Sequence, residues 1–232
     1  CSQTMKEKVA ALIGVGPLVG RQIAAAYAKA NYKVSLLSRS VHDLERLAGE
    51  LGGGTTAFFC DVTQPSTVRA AFQRLRSHYG VDEPDVVVYN VRDWHFDNFD
   101  SIVASDFTRC WQLASLGLFH VAKEVLPGMK KRGHGVLGIT GATANWRGLP
   151  QTAAFAPAKA AQRSFAQSLA RDYGPKGIHV YLIVVDGVIA EGGGTSVSPS
   201  AIGDTHVMLS EQKSGAWTFE LNLTAGLGFD KL

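Results

Sequence analysis

The stretch that most constrains what this chain can fold into is residues 9–39. Val9-Ala10-Ala11-Leu12-Ile13 is an apolar run of strand length, and it meets Gly14-Val15-Gly16-Pro17-Leu18-Val19-Gly20. Residues 21–30 have helical composition, and a second apolar run, Val34-Ser35-Leu36-Leu37, closes the unit before Ser38-Arg39-Ser40. Strand, glycine turn, helix and strand in about thirty residues is the size of a βαβ unit that holds a dinucleotide. Glycines at such a turn let the backbone pass close to a pyrophosphate, and the helix start offers it free N–H groups. Gly14, Gly16 and Gly20 are therefore read as cofactor-binding residues. A glycine pattern alone is weak; the strand before it and the helix after it carry the reading.

The alternation continues down the chain. Helices are expected at Asp43–Leu51, ended by Gly52-Gly53-Gly54, and at Ser66–Tyr79. Strands are expected at Thr55–Cys60 and at Asp85–Tyr89, the latter nearly all valine and so buried on both faces. A long helix over Ser105–Lys131, a strand over Gly135–Thr140, a helix over Ala153–Tyr173 and a strand over Ile178–Val185 follow. Residues 191–205, rich in Gly, Ser, Thr and Pro, read as a mobile loop. Ala216–Leu223 alternates with period two and reads as a last strand. The expectation is one α/β domain over 1–232, a three-layer Rossmann-like doubly wound parallel sheet of about seven strands. Its ligands would sit at the carboxyl ends of the strands.

Composition narrows the function. With 23 basic and 20 acidic residues the net charge is +3, and the densest basic run, Lys130-Lys131-Arg132, suits a helix C-terminus. Nucleic-acid binding is not indicated, and no apolar stretch reaches membrane-spanning length. Cys1, Cys60 and Cys110 are odd in number and lack metal-ligand spacing, and the histidines form no ligand pair. No metal is expected, and a soluble protein of a reducing compartment is. That compartment would be the cytoplasm, or an organelle matrix if a targeting peptide has been removed. Residues 1–8 leave two readings open, Met5 as a native start or a trimmed leader.

The second strand ends in Ser38-Arg39. An acidic residue there would take the adenosine ribose hydroxyls and favour NAD(H). Arg39 instead offers a guanidinium able to pair bidentately with a 2′-phosphate, so NADP(H) is the expected nucleotide and NAD(H) the lesser.

The chain resembles the short-chain dehydrogenase/reductase superfamily, as a divergent member with a Gly-x-Gly-Pro turn. The residues that carry the resemblance are the turn 14–20, Asp61-Val62, Asn90, Lys159 and Asp186-Gly187, in the family's order. The resemblance implies that Asp61 and Val62 hold the adenine, that Asn90 braces the sheet beside the cofactor, and that Lys159 holds the nicotinamide ribose. It also implies a tyrosine as proton donor or acceptor, a serine orienting the carbonyl and an asparagine holding a water relay. Those positions here are Phe155, Ala142 and Ala114. Of the tetrad only Lys159 remains.

The cofactor side departs as well. Leu18 stands at the family's middle glycine, and Val91-Arg92 replaces Ala-Gly after Asn90, setting a long cation near the nicotinamide half. Asp186-Gly187 stands for Pro-Gly, and Glu191 lies near an expected threonine, where it would repel phosphate. Thr140, Thr143, Thr152, Arg147, Arg92 and His95 lie near the strand ends as substitutes for lost groups. Asp93-Trp94-His95 is a candidate acid/base pair, while His120 and His134 read as structural. Losing a general acid removes roughly 10²–10⁴ in rate.

Two functions follow. One is a nucleotide-binding or structural subunit that no longer reduces carbonyls. The other is an NADP-dependent oxidoreductase working around Lys159 without a tyrosine; a non-redox lyase or isomerase is a smaller third. The resemblance further implies a homodimer, or a hetero-assembly, through the helices at 105–131 and 153–173.

Overall fold

The computed structural model describes residues 7–93, 95–191 and 196–225. Its elements are β1 (Val9–Ile13), α1 (Val19–Lys29), β2 (Lys33–Ser38), α2 (Val41–Leu51), β3 (Thr56–Phe59), α3 (Pro65–Tyr79) and β4 (Val86–Tyr89). There follow α4 (Ala104–Trp111), α5 (Gly117–Arg132), β5 (Gly135–Ala142), α6 (Phe155–Tyr173), β6 (Ile178–Asp186), β7 (Val188–Ile189), β8 (Ser196–Val197), α7 (Pro199–Ser210) and β9 (Glu220–Thr224). Seven strands form one sheet in the order β3-β2-β1-β4-β5-β6-β9, and every neighbouring pair is parallel. β7 and β8 make a separate two-stranded ribbon.

Helices cover both faces, which is why the strands read as unbroken apolar runs. Along β1, Val9, Ala11 and Ile13 enter the core under α3, α5 and α6, while Ala10 and Leu12 enter the core under α1, α2 and α7. β6 divides the same way, with Ile178, Val180, Leu182 and Val184 on one face and Tyr181, Ile183 and Val185 on the other. Helix α1 forms because Val19, Ile23, Ala24 and Tyr27 share one buried stripe. Helix α5 ends where Lys130, Lys131 and Arg132 meet the negative end of the dipole and Gly133 turns left-handed.

The parallel sheet of seven strands matches expectation; three local readings do not. The long helix over 105–131 is interrupted, since Gln112–Leu116 forms a π-helical turn between α4 and α5. Residues 196–205 are not a loop: β8 and the first half of α7 occupy them, while 192–195 lie outside the described residues. Pro199 sits in the first turn of α7, and Ile202, His206 and Leu209 bury one stripe at helical spacing. Small residues between them hid that stripe. One is needed, because a Cβ at Gly203 would meet the Gln22 carbonyl oxygen of α1 at 2.6 Å.

The last strand starts at Glu220, not Ala216. Residues 213–216 turn instead, with Gly215 at φ +93°. The apolar face of Trp217 stacks on His179, with centroids 5.1 Å apart, and its Nε1 donates to the Gln212 carbonyl. The alternation there reports packing against β6 rather than pairing with it. Among the described residues no helix is long and apolar enough to cross a membrane, and no group of three or more metal-ligating side chains gathers.

The sheet reverses its winding between β1 and β4, and a crevice opens beyond their carboxyl ends. Gly14 leaves β1 at φ +82°, and a Cβ there would meet the Asn90 carbonyl carbon at 2.8 Å. Gly16 faces open space. Gly14→Ala therefore combines a left-handed backbone with an overlap, and is expected to lose about 2–4 kcal/mol of stability. Gly16→Ala should change it by less than about 1 kcal/mol. Urea unfolding of the two variants beside the parent checks this, and equal losses would contradict it.

Candidate functional site

The crevice holds a groove of about 300 Å³, walled by the turn Gly14–Gly20, by Ser38 and Arg39 at the end of β2, and by Cys60, Asp61 and Val62 after β3. Asn90 closes it by donating from Nδ2 to the Gly14 carbonyl at 2.9 Å, while its backbone N–H reaches Ile13 O at 2.8 Å. Asp61 is held by its own loop, its Oδ1 accepting from the Thr63 N–H and hydroxyl. Burial pushes the Cys60 thiol up to about 12, so it is inert. Arg39 is exposed at the groove's outer end. Leu18 stands at the start of α1 and reaches both this groove and the pocket beside it.

This donor set suits the adenosine half of a nicotinamide dinucleotide: a guanidinium and a hydroxyl at the strand end, a carboxylate after β3, and backbone around the turn. The other half is tighter. Between groove and pocket lies a cavity of only about 50 Å³, walled by Arg92, Ala142, Phe155, Lys159, Val185 and Gly187. A cavity that takes a benzene ring measures roughly 150 Å³. The small cavity alone does not hold a nicotinamide ring.

Helix α6 presents Phe155 and Lys159 one turn apart, with the amine 5.9 Å from the ring centroid. Lys159 is 3% exposed. Its Nζ donates to the Thr140 carbonyl at 3.3 Å and to Gln162 Oε1 at 2.9 Å. Gln162 in turn donates from Nε2 to the Ala114 carbonyl at 2.9 Å. That carbonyl belongs to the π-helical turn, where the usual backbone ladder is displaced. Ser115, from the same turn, donates to the Ala158 carbonyl. The amide of Gln162 thus links Lys159 to residue 114, the position at which the resemblance places an asparagine holding a water relay. Sequence reading missed it, although a glutamine three residues after a lysine shares its helical face.

Burial, and then the Arg92 guanidinium, hold the Lys159 amine down at about 7. Burial also lowers Arg92. Arg92 walls the groove, the small cavity and the larger pocket, so it stands at the junction of all three. That pocket measures about 590 Å³ and is mainly apolar, with Phe96, Leu149, Phe155, Val188 and Ile189 in its wall. Phe96 lies against Phe155 with centroids 5.4 Å apart. Arg147 pairs with Asp186 at 3.4 Å, and Gly187 turns the chain at φ 133°.

The other candidates separate. Asp93 takes Arg109 in a two-pronged pair at 2.6 and 2.8 Å, while His95 faces Asp106 at 3.7 Å. The two diverge to different residues of α4 and form no acid/base pair; Trp94 lies outside the described residues. Thr140 turns its hydroxyl inward to His206 Nε2 at 3.0 Å, and burial presses that imidazole down to about 3. Thr152 is spent on Leu149, bonding both its N–H and its carbonyl. Thr143 remains in the pocket wall. His120 bonds the Val62 carbonyl, His134 is exposed just before β5, and Glu191 is exposed after β7. Cys60 and Cys110 are free and buried.

The family model described as short chain dehydrogenase matches residues 8–195. The hydroxynaphthalene reductase-like protein of Metarhizium guizhouense is 30% identical over 190 residues, covering 80% of this chain and 70% of its own. The 7alpha-hydroxysteroid dehydrogenase of Escherichia coli is 29% identical over 196 residues, covering 83% and 75%. Among solved structures, a short-chain dehydrogenase from Rhodopseudomonas palustris aligns at TM-score 0.83 and 29% identity, over 93% of this chain and 97% of that one. The 3-ketoacyl-(acyl-carrier-protein) reductase from Brucella melitensis, complexed with NADH, aligns at TM-score 0.86 over 96% and 99%; at 22% identity that likeness is one of fold.

The buried amine leaves a mark on stability. Unfolding returns Lys159 to the ordinary lysine range, so from about pH 7 upward the unfolded chain binds the extra proton and stability rises with pH. Above about pH 9 the Cys60 thiol, raised in the fold, works the other way. Between pH 7 and about 9 the slope from Lys159 approaches about 1.4 kcal/mol per unit. Lys159→Met should flatten that rise, as read from urea midpoints at the two pH values. An unchanged slope in the variant would show that the amine is not held neutral.

Proposed function

The chain belongs to the short chain dehydrogenase family, and from that premise we propose that it binds NADP(H) without performing the family's tyrosine-dependent carbonyl reduction, serving as a binding or structural subunit. Arg39 and Ser38 receive the 2′-phosphate, Asp61 and Val62 the adenine, and the backbone of Gly14, Gly16 and Gly20 the pyrophosphate. Asn90 holds the turn in place for them, and Gly187 leaves room on the far side. Lys159 is the residue for the nicotinamide ribose. A bound nicotinamide supplies a hydride donor or acceptor. At positions 155, 142 and 114 this chain has Phe, Ala and Ala in place of the phenol, serine and asparagine that would meet the substrate oxygen.

One observation carries the reading. Where a proton donor would stand beside Lys159, the ring of Phe155 lies tilted against Phe96, and the cavity left is about 50 Å³. A hydrocarbon cannot protonate an alkoxide, and the loss of an orienting donor removes a further factor of roughly 10²–10³ in rate. The pocket of about 590 Å³ beside it favours a second reading, NADP-dependent hydride transfer in a non-standard site around Lys159. There the Arg92 guanidinium supplies hydrogen bonds to the substrate oxygen.

Titration with NADPH and NADH, followed by carbonyl-reductase assays, separates these readings. NADPH is expected to bind at least about tenfold tighter, and Arg39→Asp to remove that preference. The parent should not reduce simple reactive carbonyls. The triple variant Phe155→Tyr, Ala142→Ser, Ala114→Asn should do so, with strongly non-additive contributions, since the groups act as one unit. Robust reduction by the parent favours the second reading, and preference for NADH overturns the cofactor assignment.

The same proposal includes a partner. Val103, just before α4, and Phe107 and Trp111 on it are exposed at four-residue spacing, and Phe99 and Phe119 are exposed as well. A second copy, or a related chain, covers this face and that of α6. Light scattering at micromolar concentration should return a dimer mass, and Phe107→Glu should return a monomer.

A further inference from the structure

We propose that Lys159 is a carbonyl-capturing amine, which forms an imine with an aliphatic aldehyde or ketone seated in the pocket beside it. The proposal goes beyond nucleotide binding and does not depend on it.

Geometry comes first. Both bonds recorded from Nζ run to neutral acceptors, the Thr140 carbonyl and Gln162 Oε1. The orientation of the Gln162 amide is fixed by its other end, since only the NH₂ group can donate to the Ala114 carbonyl. Oε1 must therefore face the lysine. A free amine has two N–H groups, so these two acceptors use both and leave the lone pair available. An ammonium would carry a third N–H in a site that is almost fully desolvated.

Charge agrees with the hydrogen bonds. Among the described residues the charged group acting on the amine is Arg92, a cation, which opposes protonation as burial does. Across the adjoining pocket the carboxylate of Asp186 is paired with Arg147. From α6 and β5 the amine meets Phe155, Gln162 and Thr140, none of them anionic. Desolvation and a neighbouring cation are the conditions that make a lysine nucleophilic near neutral pH.

Space is the third observation. The cavity at Lys159 measures about 50 Å³, more than the roughly 30 Å³ share of a water and too little for a ring. It admits a formyl or small keto group. It shares Arg92, Ala142, Phe155, Val185, Gly187 and Ile189 with the apolar pocket of about 590 Å³, which can house an aliphatic body.

The step balances without oxidant or reductant. The lone pair of Nζ adds to the carbonyl carbon, and the C=O π pair moves to oxygen. A proton passes from nitrogen to that oxygen through solvent, giving a carbinolamine. Loss of water then leaves the C=N bond, so one amine and one carbonyl yield one imine and one water. Arg92 hydrogen-bonds the oxygen while it carries charge.

The probe is hexanal with sodium cyanoborohydride, added to the full chain without nucleotide, with hexylated lysines located by peptide mass mapping. At pH 7 Lys159 should be alkylated at least about tenfold faster than the exposed Lys123 and Lys130. The ratio should fall towards pH 9, because an ordinary lysine gains about tenfold in neutral amine per unit while an amine held down at about 7 gains only about twofold in all. Ala142→Leu, which fills the mouth of the small cavity, should slow labelling of Lys159 at least about tenfold and leave the surface lysines unchanged. Lys159 labelling no faster than Lys123, a ratio that does not fall with pH, or indifference to Ala142→Leu each overturns the proposal. NADPH titration of the same sample keeps the two claims apart. Labelling without NADPH binding removes the nucleotide reading alone, and NADPH binding without labelling removes this one alone.

Discussion

Everything in the site depends on the lock between the carboxyl ends of β1 and β4. These are the two strands at which the sheet reverses its winding, and their ends must separate for a ligand to enter. Asn90 holds the separation by bonding Gly14 through its side chain and Ile13 through its backbone. Gly14 allows it, because any Cβ there would strike the Asn90 carbonyl. The turn that follows starts α1 at the rim of the groove, and the residue after Asn90 begins the segment that carries Arg92 into it. Groove, helix start and intruding cation are all set by one pair of adjacent strand ends.

A second tie positions the amine. In a regular helix the Ala114 carbonyl would be consumed by the backbone ladder. The π-helical turn displaces that ladder, and the carbonyl instead meets Gln162 of the neighbouring helix. Ser115 adds a bond in the same place. The two helices are thereby joined by buried polar contacts, and the far end of the Gln162 amide is aimed at Lys159. An asparagine side chain is not required for this. Backbone geometry at residue 114 supplies the acceptor, and residue 162 supplies the connection.

The sequence disclosed the sheet well because the strands are buried on both faces. Five apolar residues in a row, Val9-Ala10-Ala11-Leu12-Ile13, bounded by glycine, leave few alternatives to a central parallel strand. The groove residues were legible for a similar reason, since the turn, Arg39, Asp61 and Asn90 each follow a strand at a fixed place in the order. Three features were not legible. Helix α7 hides its stripe among Ser, Gly and Thr, and at Gly203 its partner α1 comes too close for a side chain. Trp217 mimics strand alternation while packing on His179 from outside the ladder. Gln162 has no signature of its own, and its role exists only because the π-helical turn offers it a carbonyl.

The retained lysine is the least comfortable residue in the molecule. In a tyrosine–lysine pair the amine has an anion to stabilise whenever the phenol ionises, and that attraction offsets the burial of its charge. With Phe155 in that place the anion is gone, and Arg92 adds repulsion. Methionine or leucine would fill the same volume without desolvating a charge, and such replacements in buried sites are often stabilising. The hydrogen bonds to Thr140 and Gln162 satisfy the amine once it is there, but they do not require it. A hydrocarbon at 159 and another at 162 would leave only backbone carbonyls to satisfy. Packing alone therefore gives no reason for a basic nitrogen at this position. What the amine adds is chemistry available to a ligand, either N–H groups for a ribose hydroxyl or a lone pair for a carbonyl carbon. The first uses the amine in either protonation state, whereas the second needs it neutral, and the surroundings of Lys159 favour the neutral form.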